Sequence, residues 1–183
     1  MAFLASTFKT NLAASGGGAR PGLYNVQINF GTASTAPLSF NSTETLLVKA
    51  AAIPASTIAP LAVNYSGRAY KWQGFRTFDI WNVTVINDES FSSRNKMMEW
   101  MRYLSGQMDG SRGAVYGDPS KSTGGYFDGQ AKVTQVGVDG ATAGVKTYTL
   151  SNLWPTELGE ISVDWASDAM EEYTIGFAYD HFV

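Results

Sequence analysis

The chain has 183 residues, enough for one domain with a buried core and hardly for two. A hydrophobic content of 44% excludes intrinsic disorder, and a charged fraction of 16%, against roughly 25% in ordinary domains, suits a subunit that covers part of its surface with other chains. The net charge of -3, with 13 scattered Lys and Arg, argues against a binder that neutralises phosphates, and the lack of cysteine excludes disulfides and thiolate metal sites.

Residues 1–22 read as an N-terminal arm, small residues followed by GGGARPG at 16–22, a run that neither helix nor strand tolerates. Two readings stand for it, a frayed terminus and an arm that orders on a partner. The opening run MAFLASTFKTNLAAS carries no basic residue ahead of its apolar part and does not read as a signal peptide. Residues 23–183 form the single β domain. LYNVQINF (Leu23–Phe30) alternates, with Tyr24, Val26, Ile28 and Phe30 on one face, and predicts a half-buried strand. A loop follows, and TETLLVKAAAI (Thr43–Ile53) predicts a second strand ended by Pro54. The apolar stretch at Leu46–Ala55 is broken by Lys49 and Pro54 and falls far short of the roughly 20 residues of a membrane-spanning helix, so synthesis in the cytosol is expected.

Thr57–Gly74 has two extended arms around Ser66-Gly67, a hairpin whose tip carries Tyr65, Arg68, Tyr70, Lys71 and Trp72. Phe78–Asp88 alternates with no clearly polar face, which predicts a strand covered on both sides. Ser92–Gln107 is the one helical pattern: Met97, Trp100, Met101 and Leu104 make an apolar stripe, Ser92 or Ser93 can cap it, and Gly106 fits its end. Residues 108–130, rich in Gly, Ser and Asp, predict a long loop. Ala131–Gly140 and Gly144–Trp154 predict strands joined near Asp139-Gly140 and broken by Pro155, with Glu160–Ala166 and Glu171–Phe182 as the last two. The sum is a mainly β chain, an antiparallel β barrel or sandwich with one flanking α-helix, an N-terminal arm and a long Gly-rich loop.

Chemistry-bearing patterns are sparse, and no cofactor, metal or catalytic site is expected. His181 is the one histidine, and a strand would point its neighbour Asp180 to the opposite face, so no catalytic triad is expected. Gly16, Gly17 and Gly18 lead to Pro21 rather than to a nucleotide fingerprint, and Lys121-Ser122 has no glycine run ahead of it. The carboxylate pairs Asp88/Glu89, Glu157/Glu160, Asp164/Asp168 and Glu171/Glu172 read as solvated turn residues, and the sequons at Asn41, Asn64 and Asn82 as chance patterns. The aromatic, basic hairpin tip suits stacking on single-stranded nucleic acid or anchoring in a protein interface, and the acidic net charge favours the interface.

The run Thr149–Phe182 resembles the closing segment of contractile-tail phage tube proteins. The resemblance rests on Trp154-Pro155-Thr156, Gly159-Glu160-Ile161, Asp164-Trp165 and a last strand ending at Tyr179. Arg20-Pro21 is similar to the family's entry into its first strand, and Lys49–Met101, with its turn at Pro54, follows the family's order of strand, turn, hairpin, strand and helix. The longer arm and the Gly-rich insert near Gly110–Gly129 depart from the pattern. The resemblance implies a non-enzymatic subunit that forms hexameric rings, stacked into a tube, whose hairpin reaches the adjacent ring. It further implies tail sheath, baseplate and tube-terminator proteins as partners, a place in the virion tail, and DNA that passes through the lumen without specific binding. A neutral or acidic lumen is expected, with Asn25, Gln27, Asn29 and residues near Lys132–Gln135 as polar candidates for its wall. The rivals are the inner tube or tube initiator of a contractile injection or type VI-like system, a carbohydrate-binding or hydrolytic tail domain with Trp72, Trp81, Trp154 and Trp165 along a groove, and a single-strand binding module.

Overall fold

The computed structural model describes residues 4–14, 17–29, 40, 44–45, 47–104, 129–137 and 146–183. Alternation places β1 (Tyr24–Asn29) as expected, with Val26 and Ile28 buried and Asn25, Gln27 and Asn29 exposed. The remaining strands are β2 (Val48–Ala51), β3 (Ser56–Tyr65), β4 (Arg68–Phe78), β5 (Trp81–Ile86), β6 (Gly129–Gln135), β7 (Lys146–Leu158), β8 (Glu172–Ala178) and β9 (His181–Phe182). Two helices lie wholly within the described residues, α1 (Ala5–Ala14) and α2 (Ser92–Leu104).

One antiparallel sheet runs β1-β6-β7-β8-β5-β2, with β9 paired to β7, and β3–β4 forms a separate two-stranded sheet. β7 joins the two halves: its first part pairs β6 and β9, its last part pairs β8. The bend between them sits at Asn152, whose φ of 56° is left-handed and whose Nδ2 donates to Asp180 Oδ2 at 2.5 Å. The end strands approach through a side chain, the Tyr24 hydroxyl donating to the Val48 carbonyl at 2.9 Å and also to that of Lys49. Burial pushes the Tyr24 phenol up, so this donor keeps its proton.

The inner face of the sheet and α2 enclose one core. Met97 and Trp100 of α2 are fully buried in one core cluster with Val83, Leu153, Ile175 and Phe177, the Trp100 ring lying 6.1 Å from that of Phe177. Gly129 fits because any side chain would run into Trp100 and the Leu153 carbonyl. Burying such aromatic and aliphatic groups at about 1.5–3 kcal/mol each is the main term holding the sheet closed.

Several expectations are corrected. The second strand is shorter than Thr43–Ile53: Glu44 and Thr45 are helical, because the Glu44 carboxylate turns inward to Lys96 Nζ at 2.8 Å and the Ser92 hydroxyl at 3.1 Å. The pattern at Phe78–Asp88 is split, since β4 ends at Phe78 and β5 begins at Trp81, and only the Trp81, Val83 and Val85 face is buried while Ile80 is exposed. Pro155 does not break its strand but lies within β7, opposite Phe177 at a register shift, where a missing N–H costs no ladder bond. Glu160–Ala166 is not a strand: it belongs to an irregular segment, 159–171, whose alternating side chains have no sheet to pair with. Gly129 and Gln130, expected in the long loop, open β6, and the rest of that loop, like Gly106 and the Asp139-Gly140 turn, lies outside the described residues. The arm, expected without regular structure, holds α1 on ASTFKTNLAA, a run free of Gly and Pro.

Candidate assembly surfaces

The hairpin is fixed by its turn. Ser66 (φ 50°) and Gly67 (φ 75°) are both left-handed, the two-residue geometry whose twist matches paired strands, and Tyr65 stands opposite Arg68. The register puts Leu61 opposite Trp72, Val63 opposite Tyr70 and Tyr65 opposite Arg68 on one face. Ala62 opposite Lys71 and Asn64 opposite Ala69 share the other face. The first face is apolar and open to solvent: Tyr65 is 74% exposed, Trp72 66% and Leu61 60%. A bulge between Ile58 and Pro60 bends the hairpin, and Gly74 is required there because a Cβ would lie 2.4 Å from the Ala59 carbonyl oxygen. At its base Phe78 packs on Tyr179 and Phe182, each 5.6 Å away between ring centroids, so the projection leaves the body on a rigid aromatic footing. A two-stranded ribbon of this kind is marginal in water, and its apolar face calls for a covering surface.

The segment 159–171 is positioned by its first residue. Gly159 N–H donates to the Thr174 carbonyl at 2.7 Å, a Cβ there would clash with β8, and the Gly159 carbonyl accepts from the Arg94 guanidinium at 3.0 Å. Asp164 folds the middle, its carboxylate accepting from Ala166 N–H at 3.0 Å. Trp165 then projects fully into solvent, with Val163 82% and Met170 78% exposed. Of the other motif residues, Pro54 and Pro155 are buried, Trp154 is half-buried, Thr156 Oγ1 donates to the Gly176 carbonyl at 3.0 Å, Glu160 is exposed, and the exposed Arg20-Pro21 opens a turn whose Arg20 carbonyl accepts from Leu23 N–H.

A polar relay anchors α2 under the sheet. Asp88 accepts from the backbone of Ser92 at 3.1 Å and Ser93 at 3.3 Å, and from the Ser93 hydroxyl at 3.0 Å, while the Tyr173 hydroxyl donates to Ser93 Oγ at 3.0 Å. Partial burial would raise the Asp88 carboxyl, but the hydrogen bonds from Ser90, Ser92 and Ser93 outweigh it and hold it well below the usual carboxylate range. Burial pushes the Tyr173 phenol up and keeps it a neutral donor.

The outer face of the sheet gathers the polar strand residues into rows. Asn25, Thr134 and Thr147 form one, Gln27, Lys132 and Thr149 the next, and Asn29, Gln130 and Ser151 a third, with Thr84 opposite Thr174 in the other half. Lys132 is the one charge in those three rows. Those three rows therefore hold no strongly basic stripe for phosphates.

The rival arrangements do not come together. Trp81 is buried and donates its indole N–H to the Ala52 carbonyl at 2.7 Å, so it cannot line a surface groove with Trp72 and Trp165. Glu171 accepts from Asn87 and Glu172 pairs with Lys49 at 2.5 Å, while His181 is exposed on β9. Among the described residues no group of three or more His, Asp or Glu is disposed to hold a metal, and no helix is long and apolar enough to cross a membrane.

Comparison with known proteins gives one answer. A family described as phage tail tube protein matches residues 19–183. The chain is 31% identical over 169 residues to tail tube protein gp19 of Enterobacteria phage T4, covering 92% of this chain and 93% of that protein. It is 28% identical over 121 residues to the tail tube protein of Serratia phage KSP90, covering 66% of this chain and 62% of that protein. In fold it is similar to a chain of the anti-feeding prophage baseplate, with TM-score 0.64 at 12% identity, over 91% of this chain and 94% of that one. A chain of the sheath-tube complex of an extracellular contractile injection system gives TM-score 0.52 at 12% identity, over 100% of this chain and 97% of that one. The chain belongs to the phage tail tube protein family.

Proposed function

We propose that this chain is the repeating subunit of the inner tail tube of a contractile-tailed phage, a structural virion protein with no catalysis. The observation that carries the reading is the match over 92% of the chain to tail tube proteins, extending through the hairpin and the C-terminal segment. In this reading residues 1–22 are an assembly arm and 23–183 the tube domain. Six copies form a ring, rings stack into a tube, and the sheath, baseplate and tube-terminator proteins bind its outside and ends. The protein is made in the host cytoplasm and ends in the virion tail.

Each exposed feature has a place in that assembly. The apolar hairpin face of Leu61, Val63, Tyr70 and Trp72, with Tyr65, Arg68 and Lys71 at the tip, packs on the adjacent ring, since a head-to-tail contact that does not close yields an open stack. The motif residues Arg20, Pro21, Pro54, Trp154, Pro155, Thr156, Gly159, Glu160, Asp164 and Trp165 act structurally. The rows around Gln27, Lys132 and Thr149 form the lumen wall, amides and hydroxyls that stay hydrated and release few counterions to passing DNA. The tube of an injection machine is the second reading, favoured by the fold likeness to the sheath-tube complex; a gene neighbourhood that contains capsid and terminase genes would decide against it.

Negative-stain electron microscopy with light scattering on the purified chain, alone and with pre-formed tube seeds, tests the proposal. Rings or hollow rods with a central channel are expected. A strict monomer at every concentration, seeded or not, overturns it and brings saccharide binding forward as the next assay.

A further inference from the structure

The hairpin β3–β4 and the irregular segment 159–171 stand at opposite ends of the subunit. β5 and β8 are antiparallel, with Trp81 opposite Phe177 at one end and Ile86 opposite Glu172 at the other. Six residues of strand separate those ends by roughly 17 Å. The hairpin leaves the body at the first end, where Phe78 packs on Tyr179 and Phe182. The segment leaves at the second: Gly159 N–H is bonded to the Thr174 carbonyl, and the chain re-enters the sheet at Glu172.

The segment lines a concavity of about 650 Å³, in which Ile161 packs against the core while Val163, Trp165 and Met170 supply an exposed apolar wall. Charge distinguishes it from the hairpin. Residues 56–78 contain Arg68, Lys71 and Arg76 and no acid, whereas 159–172 contain Glu160, Asp164, Asp168, Glu171 and Glu172 and no Lys or Arg. Lys49 offsets Glu172, and Arg94 donates to the Gly159 carbonyl, so the balance around the segment stays acidic. Arg68 shares a face with Leu61, Tyr70 and Trp72, so one side of the hairpin carries both the apolar anchors and a cation. In the single chain Leu61, Trp72 and Trp165 are all exposed, so the hairpin does not fold back onto its own concavity.

We infer that the hairpin of one copy docks into the 159–172 concavity of a second copy, Leu61, Tyr70 and Trp72 against Val163, Trp165 and Met170, with Arg68 facing Asp168 beside the concavity. The inference rests on the tube reading and names the surface that receives the hairpin. Because donor and acceptor lie at opposite ends, each copy gives one hairpin and receives one, and the contact repeats head-to-tail without closing. The apolar surfaces cover one another, and the opposite charges set the orientation. The docking also gives the exposed Trp165 of the C-terminal motif a role that the single chain does not.

Cysteine-directed crosslinking tests it, because the chain has no cysteine of its own. Ala69→Cys goes into one full-length copy and Ala169→Cys into a second copy of different mass; the first position follows Arg68, the second follows Asp168, and both are exposed. The two copies are mixed, assembled with pre-formed tube seeds, joined with a flexible bismaleimide and viewed on a grid from the same reaction, and thermal melts matched to the parent chain establish that each variant folds. Rods and a heterodimer band are expected. The band should fall several-fold with Arg68→Glu in the hairpin copy and recover when Asp168→Arg is added to the receiving copy; a band that Arg68→Glu leaves unchanged overturns the docking. Rods without heterodimer also overturn it, leave the concavity to a partner outside the tube, and keep the tube reading intact. A heterodimer without rods supports the contact and overturns the tube. Neither rods nor heterodimer overturns both. A link that forms only when both cysteines are in one chain places the hairpin on its own concavity and overturns the inference as well.

Discussion

Asp88 and Glu44 do at residue scale what the helix α2 cannot do for itself. Asp88 satisfies the first N–H groups of the helix, donors that have no partner within it. Asp88→Ala is expected to cost about 1–2 kcal/mol at neutral pH by urea denaturation. The Asp88 carboxyl is lowered in the folded chain, so its stabilisation is full above its unfolded value, roughly 3.9, and fades as pH falls below that. The gap between wild type and Asp88→Ala should therefore close on acidification; a gap that widens below pH 4 contradicts the assignment. Glu44 is 3% exposed and pairs with Lys96, which keeps some contact with water. Glu44→Ala should cost about 2–3 kcal/mol, because it removes a buried carboxylate that pairs with Lys96 and accepts from Ser92, whereas Glu44→Met with Lys96→Met should cost less. Thermal melts of the three chains give the comparison. Ser92 or Ser93 is the cap that the sequence suggests, but the acceptor is Asp88, an acid that the sequence already places near the positive end of the helix, and both serine hydroxyls donate instead; Glu44 is not legible, because it reaches the helix only through the fold.

At the scale of elements, the hairpin β3–β4 and the strand β7 show how far periodicity reaches. Ser66-Gly67 fixes the turn locally, so the hairpin and its turn are legible in the sequence, whereas the shift in register between Ile58 and Pro60 is not. Replacing Leu61 and Trp72 by Ser should change monomer stability by less than about 0.5 kcal/mol, since both side chains are exposed in the single chain, yet abolish rod formation by electron microscopy. Loss of fold in that variant would mean the face packs within the subunit. Gly74→Val should distort the bulge and reduce assembly in the same way while leaving the core melting transition in place. In β7, Pro155 reads locally as a stop, but the bend at Asn152 and the bulge after Pro155 let one strand serve both halves of the sheet. In 159–171 the error is opposite: alternating Ile161, Val163 and Trp165 mimic a strand, although Val163 and Trp165 face solvent.

For the whole molecule, the sheet separates a dry face from a hydrated one. Gln27→Lys with Thr149→Lys places three lysines in one row with Lys132. If that row faces the channel, rods should still form, and genome release should slow at low salt and recover at high salt, as counterion release predicts. Unchanged release at low salt would place the face elsewhere. The proposal thus ties a single cross-strand row to transport.

The sequence by itself determined the class of the chain, its strand-rich body, the hairpin, helix α2 and the family, because these rest on short-range signals: alternation, turn residues and a motif within one segment. Only the tertiary structure decided which apolar residues are core and which are interface. Trp81 and Trp165 look alike in sequence, yet one is closed beneath the sheet and the other fully exposed. It also brought Asn25, Thr134 and Thr147 into one polar row from segments far apart in the chain. Burial is a property of neighbours at long range, set by how β7 bends and where α2 lands, and no window along the chain contains that information.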